Sequence, residues 1–166
     1  YVGEGVDFIS RLDRKSDDLR QNNASTQSEL AEHTSYLRDV DKPLVIPADT
    51  RIRFVITSDD VIHSWWVPAL GWKQDAIPGT VNDAWTKVAI PGTYRGVCAE
   101  LCGKDHGFMP IVVKVLPKAE YQVWLAAQKQ APVIEAAPVA APAEATVAPE
   151  AVTEAPTATP EVAPAT

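Results

Sequence analysis

Residues 43–66, "PLVIPADTRIRFVITSDDVIHSWW", decide the fold class. Two short β-branched runs, "LVIP" and "RIRFVIT", are separated by the turn-forming "ADT", and that combination reads as consecutive strands. Further along, "WTKVAI", "TYRGVC" and "PIVVKVL" repeat the texture. "PGT" punctuates the chain at 78–80 and again at 91–93, marking two turns. Short strands at roughly ten-residue spacing predict an antiparallel all-β sandwich or barrel. The segment 117–129, "PKAEYQVWLAAQK", differs. Pro117 stands at a helix start and Tyr121, Trp124 and Leu125 share one face, so a C-terminal helix is expected against the sandwich. Before residue 43 the pattern weakens. Gly5, Val6, Phe8 and Ile9 offer at most a ragged opening strand. The stretch 10–42 is strongly polar and reads as an exposed insert, with one or two helical turns around 26–37.

Composition shifts sharply at residue 131. The stretch 131–166 holds 7 of the 14 prolines and 5 glutamates, with no lysine, arginine or aromatic residue. Such a segment cannot bury enough apolar surface to offset its chain entropy, so a folded domain over 1–130 and a disordered Ala/Pro/Glu-rich tail over 131–166 are expected. All 15 basic residues precede the tail, against 17 acidic ones (22 minus 5), so the folded part carries −2 of the overall −7. That balance lacks the basic footprint nucleic-acid binding requires. No apolar run reaches the roughly 18 residues of a membrane-spanning helix. The chain starts at Tyr1 with no signal-like segment, which reads as a processed or truncated piece of something longer.

Both cysteines and the single methionine fall within "CAELCGKDHGFMP", 98–110. Three chemistries compete for this stretch. A Cys98–Cys102 disulfide suits a small extracytosolic domain, but its ring is tight and it leaves His106 and Met109 unexplained. A redox or copper-shuttling dithiol of thioredoxin type should follow a strand and open a helix, whereas this loop joins two strands. A soft-metal site uses every donor. Thiolate, thioether and imidazole together favour copper, and the methionine weighs against zinc. One loop cysteine with two histidines and a methionine would make a mononuclear blue-copper site; a second thiolate is what a two-metal centre would need. The loop supplies a single imidazole. His33 lies in the polar stretch, where a solvated role is expected. His63 sits just after a strand and before two tryptophans, and it is the candidate for the missing ligand. A site built from His63 and the distant loop makes metal loading follow or accompany folding.

"DVIHSWWVPALGWKQDAIPG", 60–79, and "GVCAELCGKDHGFMPIVV", 96–113, closely resemble subunit II of haem–copper cytochrome c oxidases, and the likeness extends with fewer landmarks over 41–116. The resemblance implies a cupredoxin-like Greek-key β-sandwich holding a dinuclear copper centre, CuA. It implies that Cys98 and Cys102 bridge the coppers, that His63 and His106 are terminal ligands, and that Met109 and the backbone carbonyl of Glu100 are axial. It places a Mg or Mn ion at the Glu100 side chain, facing the catalytic subunit. The implied function is electron transfer from cytochrome c to haem in cytochrome c oxidase subunit I. The implied location is the outer, periplasmic face of the cell membrane, anchored by a transmembrane hairpin upstream of Tyr1. Asp59 and Asp60 match acidic positions that steer basic cytochrome c, although an Asp-rich turn reads equally well. Asp75 matches an aspartate near the catalytic subunit. Trp65, Trp66, Trp72 and Phe108 are expected to form a dry shell around the metals.

Departures from the family pattern touch no ligand. Thr80 stands where many members carry arginine, and Gly107 where many carry serine. The ligand motif excludes the copper-free quinol-oxidase relatives. A nitrous-oxide reductase CuA domain shares the loop, but "DVIHSWWVP" and "AIPG" argue against it. A copper-delivery protein using the CxxxC pair is the alternative from another class.

Overall fold

The structure, a computed structural model, describes residues 1–22 and 27–130. The expected disordered tail, 131–166, lies outside the described residues. The chain opens with a tiny antiparallel hairpin, β1 (Val2–Gly3) and β2 (Val6–Asp7), followed by helices α1 (Arg14–Gln21) and α2 (Gln27–Glu32). Seven strands then follow: β3 (Leu44–Pro47), β4 (Arg51–Ile56), β5 (His63–Val67), β6 (Trp72–Ala76), β7 (Asn82–Lys87), β8 (Gly92–Cys98) and β9 (Pro110–Leu116). Helix α3 (Lys118–Gln130) comes last, as expected.

The strands form a cupredoxin-like β-sandwich. One sheet has the order β3-β9-β8-β5-β6, and β4 pairs with β7 in the other. Strand β4, "RIRFVI", alternates exposed and half-buried residues, the signature of a sheet with one face on the core. Ile46, Val67, Ile111, Val113 and Val115 form the buried core, and Ile52, Trp65 and Trp72 pack against it. Full burial of a side chain such as Val113 contributes about 1.5–3 kcal/mol. Strand β9 buries Ile111, Val112 and Val113 in succession, so "IVV" shows no alternation, while Lys114 stays exposed. Helix α3 covers Val45 of neighbouring β3 through Tyr121 and Leu125.

Four sequence expectations need correction. The sheet is not purely antiparallel, because β3 runs parallel to β9, pairing Leu44 with Val113. His63 opens strand β5 rather than following a strand. The insert also contains a helix, α1, that hydrophobic periodicity could not find, since Ser16 is its one buried residue. Its stability comes from its ends. The Asp13 side chain accepts from the Ser16 N–H, Asp17 lies in the first turn, and Arg20 lies in the last.

Nor is His33 solvated. Its side chain is 13 % exposed, and Nε2 lies 2.9 Å from the hydroxyl of fully buried Ser16. That hydroxyl also accepts the Leu37 N–H at 3.0 Å. Asp39 pairs with Arg95 of β8, which ties the insert to the sandwich.

Gly96 governs how closely β8 approaches β5. A Cβ there would sit 2.1 Å from the Trp66 carbonyl oxygen and 2.6 Å from Val67 Cγ2. The close approach sets Cys98 opposite Trp65 across the strand pair. Because the obstacle is backbone, Gly96→Ala is expected to cost about 2 kcal/mol or more of unfolding free energy, measurable by urea titration.

Candidate metal centre

Four segments deliver the donors to one end of the sandwich. His63 is the first residue of β5, Cys98 the last of β8, and Met109 immediately precedes β9. Between them the loop makes a 3-10 turn over His106–Phe108. Backbone hydrogen bonds tie its base: Ala99 N–H donates to the Ser64 carbonyl at 2.8 Å, and Cys98 N–H to the Met109 carbonyl at 3.3 Å.

The donors meet in a chain of short separations. Cys98 Sγ lies 3.8 Å from Cys102 Sγ and 3.8 Å from His63 Nδ1. Cys102 Sγ lies 3.5 Å from His106 Nδ1 and 3.4 Å from Met109 Sδ. The Glu100 carbonyl oxygen is 3.4 Å from Cys98 Sγ, while the Glu100 side chain is exposed. His63, Cys98 and Cys102 form the tightest group, all within 4.8 Å of one another, and His106 flanks it. Both cysteines are free thiols. Donors bound at about 2.0–2.3 Å around one tetrahedral ion stand roughly 3.3–3.8 Å apart, so this arrangement has the spacing of a metal site. The donor chemistry, two sulfurs from thiols, a thioether and two imidazoles, is that of a copper ligand set.

Asp60 sets how His63 presents itself. Its Oδ1 lies 2.8 Å from His63 Nε2, and a carboxylate can only accept, so Nε2 carries the proton and Nδ1 faces Cys98. The His63 ring, the Val61 N–H and the Ser58 hydroxyl hold the Asp60 carboxyl well below the ordinary carboxylate range. Burial lowers the His63 pKa, but the contacts with Asp60 and Cys98 outweigh it and raise the pKa above the usual imidazole value. The two thiols diverge. Burial pushes Cys98 up, yet backbone hydrogen bonds at Glu100 and Ser64 and the two imidazoles bring it down to about 7. Burial, reinforced by the Cys98 sulfur, raises Cys102.

The site is not sealed into the core. A cavity of about 430 Å³ opens beside His63, Cys98 and Met109, lined also by Leu12, Trp65 and Phe108. Trp65 and Trp72 stack at 5.0 Å beneath the centre, with Phe54 against both. Trp66 does not join them. Successive strand residues face opposite ways, and Trp66 is 38 % exposed on the outer face. Asp75 accepts the hydroxyl of Ser64, a residue only 1 % exposed, at 2.7 Å. Ser64 thus supports the site from both its side chain and its carbonyl. Neither role was readable in the sequence, because both depend on strand register.

Comparison with known proteins places this geometry. The family model for cytochrome c oxidase subunit II, periplasmic domain, matches residues 16–116, more than half the chain. The chain belongs to that family. A Rickettsia bellii protein named "probable cytochrome c oxidase subunit 2" is 52 % identical over 94 residues, covering 57 % of this chain and 35 % of the relative. The chain therefore spans about a third of the length of that curated relative. The periplasmic domain of subunit II of cytochrome oxidase (CoxB) of Bradyrhizobium japonicum is 36 % identical, with a TM-score of 0.64. That match covers 78 % of this chain and 82 % of the other. A second solved structure is a mixed disulfide intermediate between a thioredoxin-like protein and subunit II of cytochrome c oxidase. It is 46 % identical with a TM-score of 0.50, covering 54 % of this chain and 63 % of that one. Among the described residues no helix is long and apolar enough to cross a membrane.

The opposed thiol shifts are directly measurable. In the reduced, metal-free chain, ultraviolet thiolate absorbance is expected to rise in two steps, one near pH 7 and one above the ordinary thiol range. Cys98→Ser should remove the lower step. It should also move the remaining one downward, because the Cys98 charge no longer disfavours a second thiolate.

Proposed function

We propose that this chain is the electron-accepting domain of a cytochrome c oxidase, taking electrons from cytochrome c and passing them to haem in the catalytic subunit I. The observation that carries the reading is the pair of thiols 3.8 Å apart, each with an imidazole Nδ1 within 3.8 Å. Cys98, Cys102, His63, His106, Met109 and the Glu100 carbonyl would together hold two coppers. Held there, the coppers would supply one-electron transfer chemistry.

The chain's own residues do the rest. The Asp60 carboxylate holds His63 in one tautomer and one orientation. The loop's backbone ties restrict donor movement, so a change of charge rearranges little. The Trp65–Trp72 stack packs against the core and gives the inner side an apolar wall. The exposed Glu100 side chain would reach a Mg or Mn ion at the interface with subunit I. Asp59 and Asp60 would attract a basic cytochrome c, with Asp59 the freer of the two because Asp60 also engages His63. Loading requires both sulfurs reduced. The half-buried Cys102 is the accessible member of the pair, which suits thiol–disulfide exchange with a thioredoxin-like dithiol, itself oxidised as the chain's disulfide is reduced. The domain would stand on the periplasmic face of the cell membrane, held by a transmembrane hairpin upstream.

Copper reconstitution of the full chain tests the reading. Two coppers per chain and a paramagnetic spectrum of one electron over two metals are expected. One Cu(I) per chain with no such spectrum would instead indicate a copper-delivery role. Cys98→Ser should abolish the two-metal spectrum, whereas Met109→Leu should keep it and shift the potential. Asp59→Asn should slow electron uptake from cytochrome c a few-fold at low salt, with the difference vanishing at high salt.

A further inference from the structure

Arg20 of the polar insert touches the metal loop at two places. The Arg20 guanidinium carbon lies over the Phe108 ring, 4.3 Å from its centroid, and Arg20 Nη1 is 3.9 Å from Asp105 Oδ1. Asp105 and Phe108 bracket the 3-10 turn that carries His106, so one side chain holds both ends of that turn. We propose that the insert is a clamp on the metal loop and that Arg20 is its positioning residue.

Arg20 is itself held in place. Asp17 accepts from Arg20 Nη2 at 2.6 Å and from Nε at 3.1 Å, which fixes the plane of the guanidinium. Asp17 also accepts from Gln21 at 2.7 Å. Helix α1 cannot swing away, because buried Ser16 is pinned to His33 and to the Leu37 N–H. The far end of the insert is anchored as well. Arg95 of β8 donates to the Arg38 carbonyl at 3.1 Å and pairs with Asp39. Strand β8 ends in Cys98. The insert therefore grips the strand that delivers one sulfur and the turn that delivers an imidazole. Arg14, on the same helix, shows what an ordinary surface cation looks like: its side chain is 94 % exposed, against 27 % for Arg20.

A planar guanidinium stacked on a ring is not replaceable by an ammonium, since lysine keeps the charge but loses the flat face and the fork. Losing the stack should free the His106 turn while leaving the sandwich intact.

The test has one arm without metal and one with it, and the second rests on the copper reading above. In the reduced, metal-free full chain, Arg20→Ala should raise hydrogen exchange at the His106 and Phe108 amides about 3- to 10-fold. Exchange at the β9 amides of Ile111 and Val113 should not change, and Arg14→Ala should change neither set. In the copper-loaded chain, Arg20→Ala should speed copper release to a chelator by a similar factor, with Arg20→Lys intermediate. In a Phe108→Leu background, Arg20→Ala should add less than about twofold, since its main partner is gone. Unchanged exchange at His106 and Phe108 overturns the clamp, as does an equal rise throughout β9, which would mean plain destabilisation. A full Arg20→Ala effect in the Phe108→Leu background also overturns it. If the wild-type chain takes up no copper pair, the copper reading fails, and the metal-free exchange still decides the clamp.

Discussion

The hydrogen bond from the Ala99 N–H to the Ser64 carbonyl, 2.8 Å long, joins two stretches of chain on which the whole centre depends. It fastens the first residue after β8 to the second residue of β5. By doing so it sets Cys98 beside His63, although 35 positions separate them in the sequence. Two further features make this bond available. Gly96 lets β8 lie against the Trp66 carbonyl, where any side chain would collide with backbone. The Ser64 hydroxyl, buried beside the junction, is satisfied by Asp75 on β6 and so carries no unpaired polar group into the core. The metal centre is thus built on the crossing of three strands, not on the loop alone. A loop with the same residues on a different register would place its thiols where no second imidazole could reach them.

Charge is arranged around that crossing with equal economy. Without metal, the donor groups stabilise one another: an imidazole beside each sulfur, a carboxylate behind one imidazole, and backbone groups around Cys98. The Cys98 thiol is the more acidic, despite being the more buried, because hydrogen bonding outweighs desolvation there. A cation arriving at the pair therefore finds one sulfur already close to ionised at neutral pH. Asp60 ties this chemistry to the surface, since its carboxylate stands 71 % exposed while orienting His63. A partner that neutralised Asp60 on docking would alter the ring nearest Cys98.

Much of this was legible in the chain, and what was not has a physical reason. The strands at 44–47, 51–56, 92–98 and 110–116 announce themselves by β-branched runs between turns, and α3 by its apolar face. The donors announce themselves by clustering in one loop. Helix α1 stayed hidden because capping and ion pairs hold it, and Ser16 alone is buried, so no stripe marks it. The β3–β9 pairing stayed hidden because parallel neighbours far apart in sequence leave no turn between them. His33 looked solvated for the same kind of reason: its polar neighbours become its partners only once the insert has closed around Ser16. Ser64, Asp75 and Arg20 matter through contacts made by register and folding, and composition says nothing about either.

The polar insert changes how the rigidity of such a centre should be understood. A site whose donors sit on a loop between strand ends is anchored at Cys98 and at Met109, where the backbone joins the sheet. His106 lies midway, and among the described residues no backbone hydrogen bond joins its turn to a strand. Its turn is stabilised internally by the Phe108 N–H to Asp105 carbonyl bond at 2.9 Å, and that bond moves with the turn. Arg20 adds a hold from outside the turn, reaching Phe108 at one end and Asp105 at the other. Polarity suits the task. An apolar brace would have to bury surface that the loop does not offer, whereas a guanidinium can stack on one half-buried ring and remain hydrated at its edge. On this argument a solvated insert is a better brace for an exposed metal loop than an extension of the core would be.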